Sequence, residues 1–126
     1  MDKKQANAKY SDGRNSVEFN LSIFLWEEDS VSYAYSPALD LTGYGSSKEE
    51  AKESFETVLH EFIKYTHNKK TIFQELENLG WAVNKRKKRV VSPDFEDLLS
   101  DNEHFRHLYK SKDLVRDSSN VNLELA

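Results

Sequence analysis

The sequence predicts an α+β fold: a small antiparallel sheet with one long amphipathic helix packed on one face. Three observations predict it. Val17, Phe19, Leu21, Ile23 and Leu25 alternate with Glu18, Asn20, Ser22, Phe24 and Trp26, the two-residue period of a strand. A second alternating run, Val31 to Ser36, follows after only Glu27-Glu28-Asp29-Ser30, so the two pair as a hairpin. The period then changes to that of a helix, with Ala51, Phe55, Val58, Leu59, Phe62 and Ile63 forming one apolar stripe.

The remaining elements follow in order. Met1 to Ser16 is small and polar, with turn signals at Asp12-Gly13, and reads as a flexible N-terminal arm. Pro37 ends the second strand because it has no N–H to give to a ladder. Leu39 and Leu41 then allow a short third strand up to Gly43-Tyr44-Gly45, where two glycines imply close backbone approach. Ser47 and Glu50 form a capping box that opens the helix at about Lys48, to run to about Thr66. Thr71 and Gln74 repeat that pattern before a short helix carrying Ile72, Leu76 and Leu79, with Gly80 placed just past its end. Trp81 to Asn84 and Arg89 to Val91 read as strand segments on either side of a basic turn. Ser92-Pro93 predicts another helix start, and a broken helical pattern runs from Phe95 to Tyr109, interrupted near Ser100-Asp101-Asn102. Val121 to Leu125 alternates and is consistent with a short strand or a loose tail. The expected organisation is an arm over 1–16, an α+β domain with a β-β-β-α core over 17–91, and a mixed α/β C-terminal extension and tail over 92–126.

Composition bounds the function. The chain has 126 residues, of which 32% are charged and 37% hydrophobic, with 12% aromatic and a formal net charge of -4. That is enough aromatic content for a folded core and too acidic a balance for a global nucleic-acid-binding field. The absence of cysteine excludes disulfides, thiolate zinc sites and a cysteine nucleophile. Four glycines, at 13, 43, 45 and 80, supply neither a dinucleotide-binding fingerprint nor a phosphate-binding loop. With no apolar leader and no apolar run of spanning length, the chain is expected to be cytoplasmic and to avoid membranes.

The stretch from Tyr33 to Gly45, followed by Ser47-Lys48-Glu49-Glu50-Ala51, resembles the HicB-like antitoxin family. Pro37, Leu39, Gly43, Gly45, Ser47, Glu50 and Ala51 carry the resemblance, which covers about residues 17–67. It implies a reduced ribonuclease-H-like core, a homodimer, and a non-enzymatic role in masking a small HicA-type mRNA-cleaving toxin. The turn between Leu41 and Ser47 is shorter than in many members. Residues 68–126 do not read as the C-terminal DNA-binding motif that many carry.

The candidate site residues belong to surfaces. Phe24 and Trp26 lie on the second face of the first strand and, with Tyr44, are expected at a partner or dimer interface, since a one-sided sheet would leave them wet; the alternative is that residues 92–126 fold back to cover Phe24 and Trp26 and leave a monomer. Lys85, Arg86, Lys87, Lys88 and Arg89 are the candidate nucleic-acid contacts of an alternative reading as a nucleic-acid-binding regulator. A solvated hairpin tip explains the same run. A third reading, a residual metal-dependent nuclease, has only Asp40 and Glu18 where several converging carboxylates are needed. His104 and His107 stand at i, i+3 without a convincing third ligand, and His60 lies four residues after Glu56 as an ordinary helix-surface pair. No catalytic residue, metal or cofactor is expected.

Overall fold

The computed structural model describes residues 9–10, 16–87 and 89–124. Strand β1 (Lys9–Tyr10) pairs with the start of β2 (Ser16–Glu28), at Glu18 and Val17. Lys9, Tyr10 and Ser16 of the expected arm are thus in strands, and its other residues lie outside the described ones. The far end of β2 pairs antiparallel with β3 (Val31–Ser36), with Phe24 opposite Tyr35 and Trp26 opposite Tyr33. Asp29 (φ 53°) and Ser30 (φ 69°) both sit in the left-handed region, the mirror-image turn whose twist matches a hairpin. After Pro37, the Ser36 hydroxyl accepts the Leu39 N–H at 3.3 Å, and Asp40 adopts φ 56°. The third expected strand is thereby shortened to β4 (Leu41–Gly45), because Leu39 is held in the turn and buried there.

Helix α1 (Lys48–Asn68) begins as expected: the Ser47 hydroxyl accepts the Glu50 N–H at 3.1 Å. The reciprocal arm of the capping box is shifted. The Glu50 carboxylate accepts the N–H (2.9 Å) and hydroxyl (2.6 Å) of Ser46, one residue earlier than the motif implies. These two bonds hold the Glu50 carboxyl below its ordinary pKa. Ala51, Phe55 and Leu59 are buried, whereas Val58, Phe62 and Ile63, expected in the same stripe, are half-buried. Thr66 is buried instead and satisfies its hydroxyl on the Phe62 carbonyl at 2.8 Å.

The helix sits on the face of the sheet formed by Leu25, Ala34 and Gly43, which are neighbours across β2, β3 and β4. A Cβ added at Gly43 would overlap the backbone N of Phe55 and lie 2.7 Å from the Ala51 carbonyl oxygen. This is the close approach that the paired glycines imply.

Helix α2 (Ile72–Asn78) forms, but without its expected capping box: Thr71 makes no side-chain cap, and Gln74 instead donates to Asn78 at 3.0 Å. Its C-terminus is a Schellman motif. The Gly80 N–H (φ 94°) donates to Glu77, and the Trp81 N–H to Leu76 at 2.9 Å. Strands β5 (Ala82–Asn84) and β6 (Arg89–Val91) make a separate two-stranded ribbon. Helix α3 (Phe95–Asp101) starts later than Ser92-Pro93 suggests. Asp94 is its N-cap, accepting the Asp97 N–H at 2.8 Å, because its carboxylate reaches that orphan donor and Pro93 precedes the cap. Asn102 ends α3 and caps α4 (Glu103–Ser111) through the Phe105 N–H at 2.9 Å, so the expected interruption is a shared cap.

The chain then returns to the sheet. Strand β7 (Val115–Glu124) pairs antiparallel with β2 over ten positions, from Leu25 opposite Val115 to Ser16 opposite Glu124. Of the short strand or tail expected at 121–125, residues 121–124 are therefore the end of a long strand, and Leu125 lies outside the described residues. The described sheet runs β4-β3-β2-β7, with β1 beside β2 on the β3 side. On the α1 face, Lys52 pairs with Asp117 at 2.6 Å and Glu56 accepts the Ser119 hydroxyl at 2.7 Å, fastening the helix to β7. Phe19 meets Trp81 edge-on at 4.9 Å, and the Trp81 indole N–H donates to the Ala38 carbonyl at 2.7 Å, so α2 and the ribbon are anchored to the turn after β3. The fold is α+β, and no helix among the described residues is long and apolar enough to cross a membrane.

Candidate interaction surfaces

The second face of the sheet carries two aromatic rows, Phe24–Tyr35 and Trp26–Tyr33–Tyr44. The first is covered by the chain itself. Phe24 is only 3% exposed and packs against Phe105 (centroids 4.9 Å apart) and Phe95 (6.3 Å). Phe24 is thus a core residue of this chain, not a surface available to a partner. Strand alternation showed that something had to cover it, but could not tell α3 and α4 from a second molecule. Trp26 is half-buried and stacks on Tyr33 (5.0 Å, 17°), with an indole N–H that finds no hydrogen-bond partner among the described residues. Tyr44 is 67% exposed, at the sheet's β4 edge. The three residues expected together are therefore divided among core, margin and surface.

Beneath α4, the Tyr35 hydroxyl donates to Asp40 Oδ1 at 2.7 Å and accepts from Asn102 Nδ2 at 3.1 Å. Burial pushes the Tyr35 pKa well above the usual tyrosine value, reinforced by the Asp40 carboxylate. Asp40 is exposed at the surface and engaged in this bond, while Glu18 lies at the β1 end of β2, so the two carboxylates do not converge. His104 packs edge-on against Tyr35 at 5.2 Å. Among the described residues no group of three His, Asp or Glu side chains converges to hold a metal ion.

The basic run occupies the tip of the β5–β6 ribbon. Lys85, Arg86 and Lys87 form the turn and Arg89 opens β6. All four are exposed, and Lys88 lies outside the described residues. The Asn84 side chain accepts the Lys87 N–H at 3.0 Å and fixes the tip, while Val90 anchors the ribbon base in the core. The spacing of apolar and basic residues thus sets a rigid base under a cationic end.

Between this ribbon, the start of α3 and the polar half of the second sheet face lies a cleft of about 710 Å³. Asn20, Ser22 and Phe24 contribute to its floor, Ala82, Val91 and Phe95 line it, and Asp94 and Asp97 lie beside it. The Arg116 guanidinium stands 5.6 Å from the Phe24 ring centroid and 5.7 Å from that of Phe95, and donates to the Ser22 hydroxyl at 2.9 Å. Neighbouring carboxylates, chiefly Asp94, raise the Asp97 pKa. Its described lining includes one cation, two carboxylates and apolar walls. Sequence reasoning missed Arg116 because its strand has almost no apolar alternation before Val121.

Comparison of the chain with family models, with curated proteins and with solved structures finds no match.

Proposed function

We propose that the chain is a HicB-like antitoxin or a stand-alone relative, acting by protein–protein contact to mask a small HicA-type mRNA-cleaving toxin. The observation that carries this reading is the joint between α1 and β4. Gly43, Ser47, Glu50 and Ala51, which bear the resemblance, meet there: Gly43 admits the Ala51–Phe55 backbone, and Ser47 and Glu50 cap the helix. On this reading β2, β3, β4 and α1 are the reduced ribonuclease-H-like core. A toxin that cleaves RNA must present a basic surface to its substrate. The chain's net charge of -4, and exposed Glu49, Glu53 and Glu61 along α1, complement such a surface. Co-expression with a small HicA-type toxin tests this. The two products should co-elute, and Glu53→Lys with Glu61→Lys should weaken the complex while the chain stays folded. A folded wild-type chain that elutes free of an intact toxin would overturn the reading.

A second reading has one observation in its favour: the cationic ribbon tip is exposed and braced by its own Asn84. It makes the chain a regulator that touches nucleic-acid phosphates through Lys85 to Arg89.

A further inference from the structure

Strand β2 has a notch along one side. It pairs with β7 from Ser16 to Leu25, and on its opposite side with β1 at Val17 and Glu18 and with β3 from Phe24 onward. Between β1 and β3, the stretch from Phe19 to Ile23 pairs among the described residues with β7 alone. That stretch (Phe-Asn-Leu-Ser-Ile) has no charge and no proline, the usual guards of a strand edge, and an unguarded row of N–H and C=O groups templates another strand. The two ends of the notch are fixed relative to each other by buried Trp81. It meets the Phe19 ring edge-on, and its indole N–H donates to the Ala38 carbonyl in the turn after β3. The 710 Å³ cleft opens onto this interval, with Asn20, Leu21 and Ser22 on the β2 side and Val91 of the ribbon on the other. The charges at the cleft differ in what they are free to do. Arg116 is spent on the Ser22 hydroxyl and on the rings of Phe24 and Phe95. Asp94 and Asp97 are exposed, and neither forms an ion pair with a described residue. Asp97 also lies in the field of Asp94, Asp101 and Glu96, which raises its pKa.

We propose that the notch is a docking site for an extended basic segment of another protein, which adds to the sheet as a strand beside Phe19–Ile23 and sets a lysine or arginine against Asp94 and Asp97. The strand edge selects an extended peptide, because alternate residues of an unpaired edge offer both an N–H and a C=O, and another extended backbone returns both. The interval fixes the length. A stretch of this size spans about 17 Å, so only about five residues pair before the occupant meets β1 or β3. The carboxylates select the charge, since a cation relieves their mutual repulsion and an anion adds to it. This inference goes beyond the toxin reading. The glutamates of that reading lie on α1, across the sheet from the cleft, and the test contains no toxin.

The probe is a short fluorescent peptide of alternating threonine and valine flanked by lysines, titrated into the full chain at low salt and read by anisotropy. It should bind, and the same peptide with glutamates in place of the lysines should bind about tenfold more weakly. Methylation of alternate peptide nitrogens, which removes the donors of a strand without touching its charge, should abolish binding. Asp94→Asn with Asp97→Asn should weaken the lysine peptide about threefold and shrink its advantage over the glutamate peptide, while asparagine at 94 keeps the α3 cap. Amide exchange followed by NMR should slow within Phe19–Ile23 when the lysine peptide is added, and stay unchanged in β4. Should the double variant fail to fold, the methylated peptide and the exchange measurement still decide. No binding of the lysine peptide by the full chain at about 1 mM, equal binding of the glutamate or the methylated peptide, or protection that appears elsewhere and not within Phe19–Ile23 would each overturn the proposal.

Discussion

The Tyr35 hydroxyl donates to Oδ1 of Asp40 across 2.7 Å, closing the turn after β3 onto the strand that precedes it. Asn102, shared by α3 and α4, donates to the same hydroxyl from the other side, so one phenol joins the sheet, the turn and the C-terminal helices.

Tyr35→Phe keeps the ring packing and removes both bonds. It should cost about 1–2 kcal/mol, the usual worth of a side-chain hydrogen bond that leaves a polar partner behind. The pH dependence follows from the sign of the shift. The folded state holds this proton more tightly than the unfolded state, so the contribution is full below the ordinary tyrosine pKa of about 10 and is lost as pH rises beyond it. Urea denaturation between pH 8 and 11 checks this: the wild type should lose stability more steeply than Tyr35→Phe at the alkaline end. Parallel curves would contradict it.

The α1–β4 joint should be the least tolerant place in the sheet. Gly43→Ala drives a methyl into the backbone of Phe55 and Ala51, which no rotamer change relieves, and should cost about 3 kcal/mol or more, the upper end of overpacking. Phe55 is fully buried, and Phe55→Ala should cost about 3–5 kcal/mol. Phe62→Ala, half-buried in the same helix, should cost clearly less. Denaturant midpoints of the three variants give the ranking, and equal losses at Phe55 and Phe62 would contradict the burial pattern.

If the ribbon tip grips phosphates, affinity for duplex or single-stranded nucleic acid should fall steeply with salt, because each contact releases a counterion. Replacing Lys85, Arg86 and Lys87 with alanine should flatten that slope without unfolding the chain, since all three are exposed. Fluorescence anisotropy from 25 to 200 mM salt, over which the Debye length falls from about 20 Å to about 7 Å, reads it. Undetectable binding at the lowest salt removes the nucleic-acid reading.

Much of the fold was legible where one physical signal dominated. The alternation in β2 and β3, the apolar stripe of α1 and the Gly80 terminus of α2 each follow from period or backbone freedom, and each stands where those signals put it. The ends of elements were less legible because several polar residues compete for the same cap. Asp94 displaced Ser92 at α3, and Ser46 displaced Ser47 as the donor to the Glu50 carboxylate. Strand β7 was hidden for a different reason. Its residues 116–120 are Arg-Asp-Ser-Ser-Asn, which carry no apolar period because their neighbours are an ion pair and hydroxyl contacts rather than a core. Missing β7 meant missing Arg116 in the cleft. For Phe24 the alternation required a cover and left two, a partner or residues 92–126 folded back, and α3 and α4 are the second of these. Long-range partners, unlike periods, are not written in a local window.

The central claim is that this chain acts by covering another protein, and inhibition of RNA cleavage tests it most directly. A HicA-type toxin should cleave a defined mRNA when alone. Titration with the purified chain should abolish cleavage at an equimolar ratio, and Glu53→Lys with Glu61→Lys should require a several-fold excess. Cleavage that continues unchanged in the presence of excess folded wild-type chain would contradict the account.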